Sequence, residues 1–67
     1  MKYEFIFKVK EYHSAPYTTK YRVVVPAVRF NSQKSIYEKL QKNHPDWDSV
    51  ILINELDDFG EFIRTIQ

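Results

Sequence analysis

The pattern of apolar and polar positions predicts four β-strands around one short helix. Residues 2–10 and 18–25 alternate at every second position, which is the period of a strand with one buried face. The apolar sets are Tyr3, Phe5, Phe7 and Val9 in the first run and Tyr21, Val23 and Val25 in the second. Residues 11–17 break the alternation with Ser14 and Pro16, so we expect a hairpin loop there.

Residues 30–40 are the one segment with helical periodicity. Their apolar positions are Ile36, Tyr37 and Leu40. Asn31 and Ser32 are the predicted N-cap residues, and Pro45 is expected to stop the helix. A helix of about eleven residues is marginal in isolation, so this one depends on packing against the sheet.

Residues 49–56 are apolar on both faces, which is typical of a central strand. Either Val50 and Leu52 or Ile51 and Ile53 face the helix, and the pattern leaves this choice open. Residues 61–66 form the predicted fourth strand, after a turn that contains Gly60.

The order of elements predicts a two-layer α+β fold, β–β–α–β–β, in a single domain over residues 1–67. Its four-stranded antiparallel sheet has the order 2-1-3-4, with the helix packed on one face. Pro26 lacks a backbone N–H, which favours an edge position for the second strand. The third strand, apolar on both sides, then lies in the centre.

Composition narrows the class of protein. The chain has no cysteine, and no apolar run reaches the roughly 18 residues of a membrane span, so we expect a cytoplasmic protein without a membrane partner. Residues 1–44 carry nine basic and three acidic residues, whereas residues 45–67 carry one and six. This asymmetry affects function only if the fold keeps the two halves apart.

Candidate chemistry is sparse. His13 and His44 are the only histidines and show no zinc-ligand spacing, and Gly60 is the only glycine, so no phosphate loop exists. No serine lies in a nucleophile motif. We therefore expect no enzyme, no metal or other cofactor and no small-molecule substrate.

The leading hypothesis is a small non-enzymatic module that binds a partner protein, or a second copy of itself, through the uncovered sheet face or an edge strand. One helix covers one face of such a sheet, which leaves the other face open. The expected partner-binding residues are an apolar set and a basic rim: Ile6, Val24, Ile51, Ile53, Lys8 and Arg22. By element order alone, the chain resembles several small accessory domains, including some phage-encoded inhibitors.

The alternative hypothesis is a nucleic-acid-binding domain that uses the basic face of the first hairpin. Lysine and arginine side chains contact phosphates, and tyrosine rings stack on bases. The residues in question are Lys8, Lys10, Lys20, Arg22, Tyr12 and Tyr17. A formal net charge of only +1 makes this the weaker hypothesis.

Overall fold

The structure is a computed structural model that describes residues 1–67, and its four strands confirm the predicted α+β topology. Strands β1 (Lys2–Lys10), β2 (Thr18–Pro26), β3 (Asp48–Leu56) and β4 (Phe62–Thr65) form one antiparallel sheet. Their order across the sheet is β2-β1-β3-β4. β2 is therefore an edge strand that ends at Pro26, and β3 is central, as predicted.

The strand register decides which residues face the helix. Phe5 lies between Val23 of β2 and Ile53 of β3, and the alternation continues along all three strands. The core cluster consists of Phe5, Phe7, Val25, Tyr37, Ile51 and Ile53, with Tyr3, Val9, Val23, Phe30, Leu40 and Trp47 packed around it. The aromatic side of β1 thus forms the centre of the core.

The helix α1 (Phe30–Asn43) follows directly from a 3₁₀ turn (Ala27–Arg29), and its predicted N-cap is wrong. Arg29 holds the N-cap position without a side-chain hydrogen bond, because the 3₁₀ turn already bonds the backbone N–H of Phe30 to Ala27 O. Ser32 lies inside the helix, where its hydroxyl donates to Arg29 O at 3.0 Å. α1 is neither long enough nor apolar enough to cross a membrane.

α1 packs mainly over β1 and β2. The ring of Tyr37 lies 5.9 Å from that of Phe5 and 5.7 Å from that of Phe7, measured between centroids. On the flank toward β3, Gln41 Nε2 donates to Ser49 O at 3.1 Å. The helix therefore covers one face of half the sheet, and the face turned away from it, the open face, has no second layer.

Candidate functional surfaces

The centre of the open face is a pair of aliphatic side chains. Ile6 of β1 and Leu52 of β3 are directly opposite each other, midway along the two central strands, and both are partly exposed. Val24, on the edge strand, is more exposed, at 48%. The open face thus carries Ile6 and Val24 where the sequence predicted them, with Lys8 alongside.

Ile51 and Ile53 lie on the helix side of the sheet, so their inclusion among the expected partner-binding residues is wrong. Ile51 is 7% exposed and Ile53 is fully buried. They pair with Phe7 and Phe5, whose aromatic rings fill the core under α1. Because side chains alternate along a strand, this pairing turns Leu52 outward instead.

A polar network crosses all four strands of the open face. The Glu4 carboxylate accepts a hydrogen bond from Arg22 Nε at 2.9 Å and another from Asn54 Nδ2 at 2.9 Å. Asn54 Oδ1 in turn accepts from Thr65 Oγ1 at 2.7 Å. The Asn54 and Arg22 bonds hold the pKa of Glu4 below its ordinary value. Arg22 is therefore already paired with Glu4, and a ligand would have to compete with this carboxylate for the guanidinium group.

The basic residues predicted to contact nucleic acid do not form one continuous patch. Lys10 Nζ lies 3.8 Å from an Asp48 carboxylate oxygen and 4.7 Å from the ring centroid of Tyr17. The Tyr17 hydroxyl donates to the same carboxylate at 2.9 Å, and this hydrogen bond raises the pKa of the phenol. Tyr12 is exposed in the hairpin loop, and Lys8 forms no ion pair. Lys10 and Tyr17 thus lie together, and Asp48 partly neutralises the charge of Lys10.

Lys20 does not lie on the open face. β2 has a bulge at this position, because Phe7 pairs with Tyr21 whereas Lys8 pairs with Thr19. The ammonium group lies 4.9 Å from the ring centroid of Trp47, which packs against the core on the helix side. His44 stacks on the same indole with a centroid separation of 3.8 Å. The prediction that Lys20 lies beside Arg22 on the open face is therefore wrong.

The acidic turn between β3 and β4 is organised by its own hydrogen bonds. Asp57 Oδ1 accepts from the backbone N–H groups of Phe59 and Glu61, both at 2.9 Å. Asp58 pairs with the amino group of Met1, which holds the pKa of the Asp58 carboxyl below its ordinary value. Asp57 and Asp58 therefore have intramolecular partners, as expected of turn-forming residues.

The largest concentration of exposed apolar side chains lies at β4 and the turn before it. The exposed fractions are 91% for Phe59, 63% for Phe62, 50% for Ile63 and 40% for Ile66. We call these four residues the β4 surface. Simple strand alternation predicts Phe62 and Ile66 on one side of β4 and Ile63 on the other, and this prediction is wrong. The register shifts between Glu55 and Leu56, so Phe62 lies opposite Leu56 on the open face whereas Ile66, next to Thr65, lies on the helix side. α1 packs mainly over β1 and β2, so it leaves these side chains largely uncovered.

The surface offers neither a cavity nor a metal-binding cluster. No pocket indents the surface, and no cluster of three or more histidine and carboxylate side chains forms a metal site. In comparisons with known proteins, no protein family, no curated protein and no solved structure matches this chain. The functional assignment therefore depends on the surfaces described above.

Proposed function

We propose that this chain is a non-catalytic interaction module that binds a partner protein through the β4 surface. The observation that carries the proposal is the exposure of Phe59 in the turn before β4 and of Phe62 and Ile63 in this edge strand. Soluble domains rarely expose several large apolar side chains in one region, and such regions mark interaction sites. Phenylalanine is also enriched at the centres of protein interfaces.

The open face is the weaker candidate for this contact. Its polar groups already satisfy one another through the bonds among Arg22, Glu4 and Asn54. Its two central aliphatic residues, Ile6 and Leu52, are only partly exposed. A partner therefore gains less buried apolar area on this face than at the β4 surface, because the free energy of association grows with the apolar area removed from water.

A photo-cross-linking experiment tests the proposal. A photoreactive amino acid in place of Phe59 is expected to capture a specific protein in cells. The same group in place of Val28, which is 89% exposed in the 3₁₀ turn, is the matched control and is expected not to capture it. The captured protein is then purified and its affinity for the chain is measured by calorimetry.

The double variant Phe59→Ser, Phe62→Ser is expected to weaken that affinity at least tenfold, which corresponds to about 1.4 kcal/mol. Val28→Ser is expected to leave it unchanged. Circular dichroism spectra identical to that of the wild type exclude unfolding as the cause. Equal affinity of the wild type and the double variant for the purified partner contradicts the proposal, as does equal capture from both positions.

Nucleic-acid binding is retained as a second proposal because Lys10 and Tyr17 lie in contact at one end of the sheet. A cation beside an aromatic ring suits a phosphate next to a stacked base. Fluorescence anisotropy with labelled single-stranded RNA and DNA is expected to show binding that weakens steeply as salt increases. The absence of binding to both at low salt overturns this proposal and leaves the protein-binding one intact.

A further inference from the structure

The free edge of β2 presents unpaired backbone groups in a regular pattern. The backbone N–H of Ala27 donates to Met1 O at 3.1 Å across the Lys2–Pro26 pair, which identifies that pair as non-hydrogen-bonded. Antiparallel pairs alternate, so the pairs of β2 residues 24 and 22 with β1 are also non-hydrogen-bonded. The N–H and C=O groups of Val24 and Arg22 therefore point away from β1, toward solvent.

The regular part of this edge is short and well bounded. The bulge at Lys20 ends it on one side, and Pro26, which lacks an N–H, ends it on the other. Between them lie residues 21–25, three of which are consecutive valines. These five residues are the segment that another strand can join.

We infer that a second copy of the chain pairs with this segment in antiparallel fashion, with Val23 opposite the partner's Val23. In this register Val24 and Arg22 bond the partner's Arg22 and Val24, forming about four main-chain hydrogen bonds. Tyr21 lies opposite the partner's Val25 on the helix side, an aromatic and β-branched pair of the kind that stabilises sheets. The two sheets then form one continuous eight-stranded sheet around a two-fold axis.

Charge favours this register. Like charges directly opposite each other destabilise strand pairs, but here Arg22 lies opposite the partner's Val24, not the partner's Arg22. The guanidinium group is also already neutralised by Glu4 of its own chain. The edge thus has a self-complementary pattern, apolar at its centre and without a repulsive pair.

The helix layer supplies a second contact on the same side. At about 100° per residue, Ile36 and Gln41 lie on opposite flanks of α1. Gln41 bonds Ser49 of β3, so Ile36 lies on the flank toward β2 and its free edge. Ile36 is 57% exposed and Tyr21 is 44% exposed. Pairing through β2 brings the two copies of this flank toward each other across the two-fold axis and removes apolar surface from water in both layers.

Size measurements test the dimer. Analytical ultracentrifugation of the wild type is expected to show a concentration-dependent dimer. Val24→Pro removes an N–H that points away from β1, so the variant is expected to keep the fold. Its dimer dissociation constant is expected to rise at least tenfold. Ile36→Lys is expected to act in the same direction, and Phe59→Lys, at the opposite edge of the sheet, is expected to leave the dimer unchanged. A wild type that stays monomeric at high concentration, or a dimer that survives Val24→Pro, overturns the inference.

Cysteine cross-linking tests the register. The chain contains no cysteine, so an introduced one reports a single site. In a non-hydrogen-bonded pair the Cα atoms lie about 4.5 Å apart, within the range that a disulfide spans. Val23→Cys is therefore expected to form a disulfide-linked dimer under mild oxidation, whereas Thr65→Cys on β4 is not. A dimer that cross-links through Thr65→Cys and not through Val23→Cys overturns the assignment to β2. None of these outcomes changes the expected binding of a partner protein at the β4 surface.

Discussion

Replacing Glu4 by glutamine tests whether the polar network stabilises the fold. The Glu4 side chain is 13% exposed and accepts bonds from Arg22 Nε and Asn54 Nδ2, each at 2.9 Å. Hydrogen bonds to charged groups contribute about 1.5–3 kcal/mol. Arg22, however, is 63% exposed, and water screens its charge. We therefore expect Glu4→Gln to lower the free energy of unfolding by about 1–2 kcal/mol at neutral pH.

The pH dependence of this difference has a definite sign. Asn54 and then Arg22 hold the pKa of Glu4 below its ordinary value in the folded state. Such a carboxyl stabilises the fold fully above its unfolded pKa, about 4.3, and loses that contribution as the pH falls through the folded pKa. The gap between the wild type and Glu4→Gln is expected to be constant from neutral pH to about pH 5 and to shrink below about pH 4.

Urea unfolding followed by circular dichroism, repeated across this pH range, measures the gap. In thermal unfolding, a loss of about 1.5 kcal/mol in a chain of this length lowers Tm by roughly 10 °C. Glu38→Gln is the control, because Glu38 faces Lys34 at 4.0 Å on the surface of α1 and is expected to cost at most about 0.5 kcal/mol. Equal stability of the wild type and Glu4→Gln at neutral pH refutes the reasoning, and so does a gap that stays constant into strong acid.

Three further predictions concern the core, the turn and the hairpin loop. Phe7 is fully buried, so Phe7→Ala is expected to lower the free energy of unfolding by about 3–5 kcal/mol, which is most of the stability of so small a domain. A near-ultraviolet circular dichroism spectrum like that of the native protein contradicts this. Gly60 has φ +83°, so Gly60→Ala is expected to cost about 1–2 kcal/mol in urea unfolding and Gly60→Asn less; equal costs contradict the backbone explanation. Asp48→Asn is expected to lower the pKa of the Tyr17 phenol, seen as earlier ionisation in an ultraviolet titration with Tyr17→Phe as the reference. An unchanged titration contradicts it.

The strand order was predictable because two independent features of the sequence agree on it. Pro26 requires an edge or a strand end, and a strand apolar on both sides requires neighbours on both edges. The order 2-1-3-4 meets both requirements. The end of α1 was less sharply marked in the sequence: the apolar pattern stops at Leu40, whereas the helix continues through polar residues to Asn43.

The orientation of β3 was not predictable, because a strand that is apolar on both faces has no period-two signal. Only the pairing of Ile53 with Phe5 identifies the inner face. The polar network was hidden for another reason, since Glu4 and Asn54 are fifty residues apart in sequence. The side on which Lys20 lies could not be predicted either, because a bulge inserts one residue into β2 and nothing in the sequence identifies that bulge.

The two sheet edges differ from the open face in how their polar groups are satisfied. Had Glu4 and Asn54 lacked partners, a second layer would have been needed to satisfy them, because buried polar groups without hydrogen bonds are costly. They bond each other instead, so the hydrogen bonding of these groups does not require a second layer. The edges differ, since β2 presents unpaired backbone groups along its free side, whereas β4 and the turn before it expose Phe62 and Phe59. The proposed dimer uses β2 and the proposed partner contact uses β4 and the turn before it, so the two proposals do not compete for one edge of the sheet.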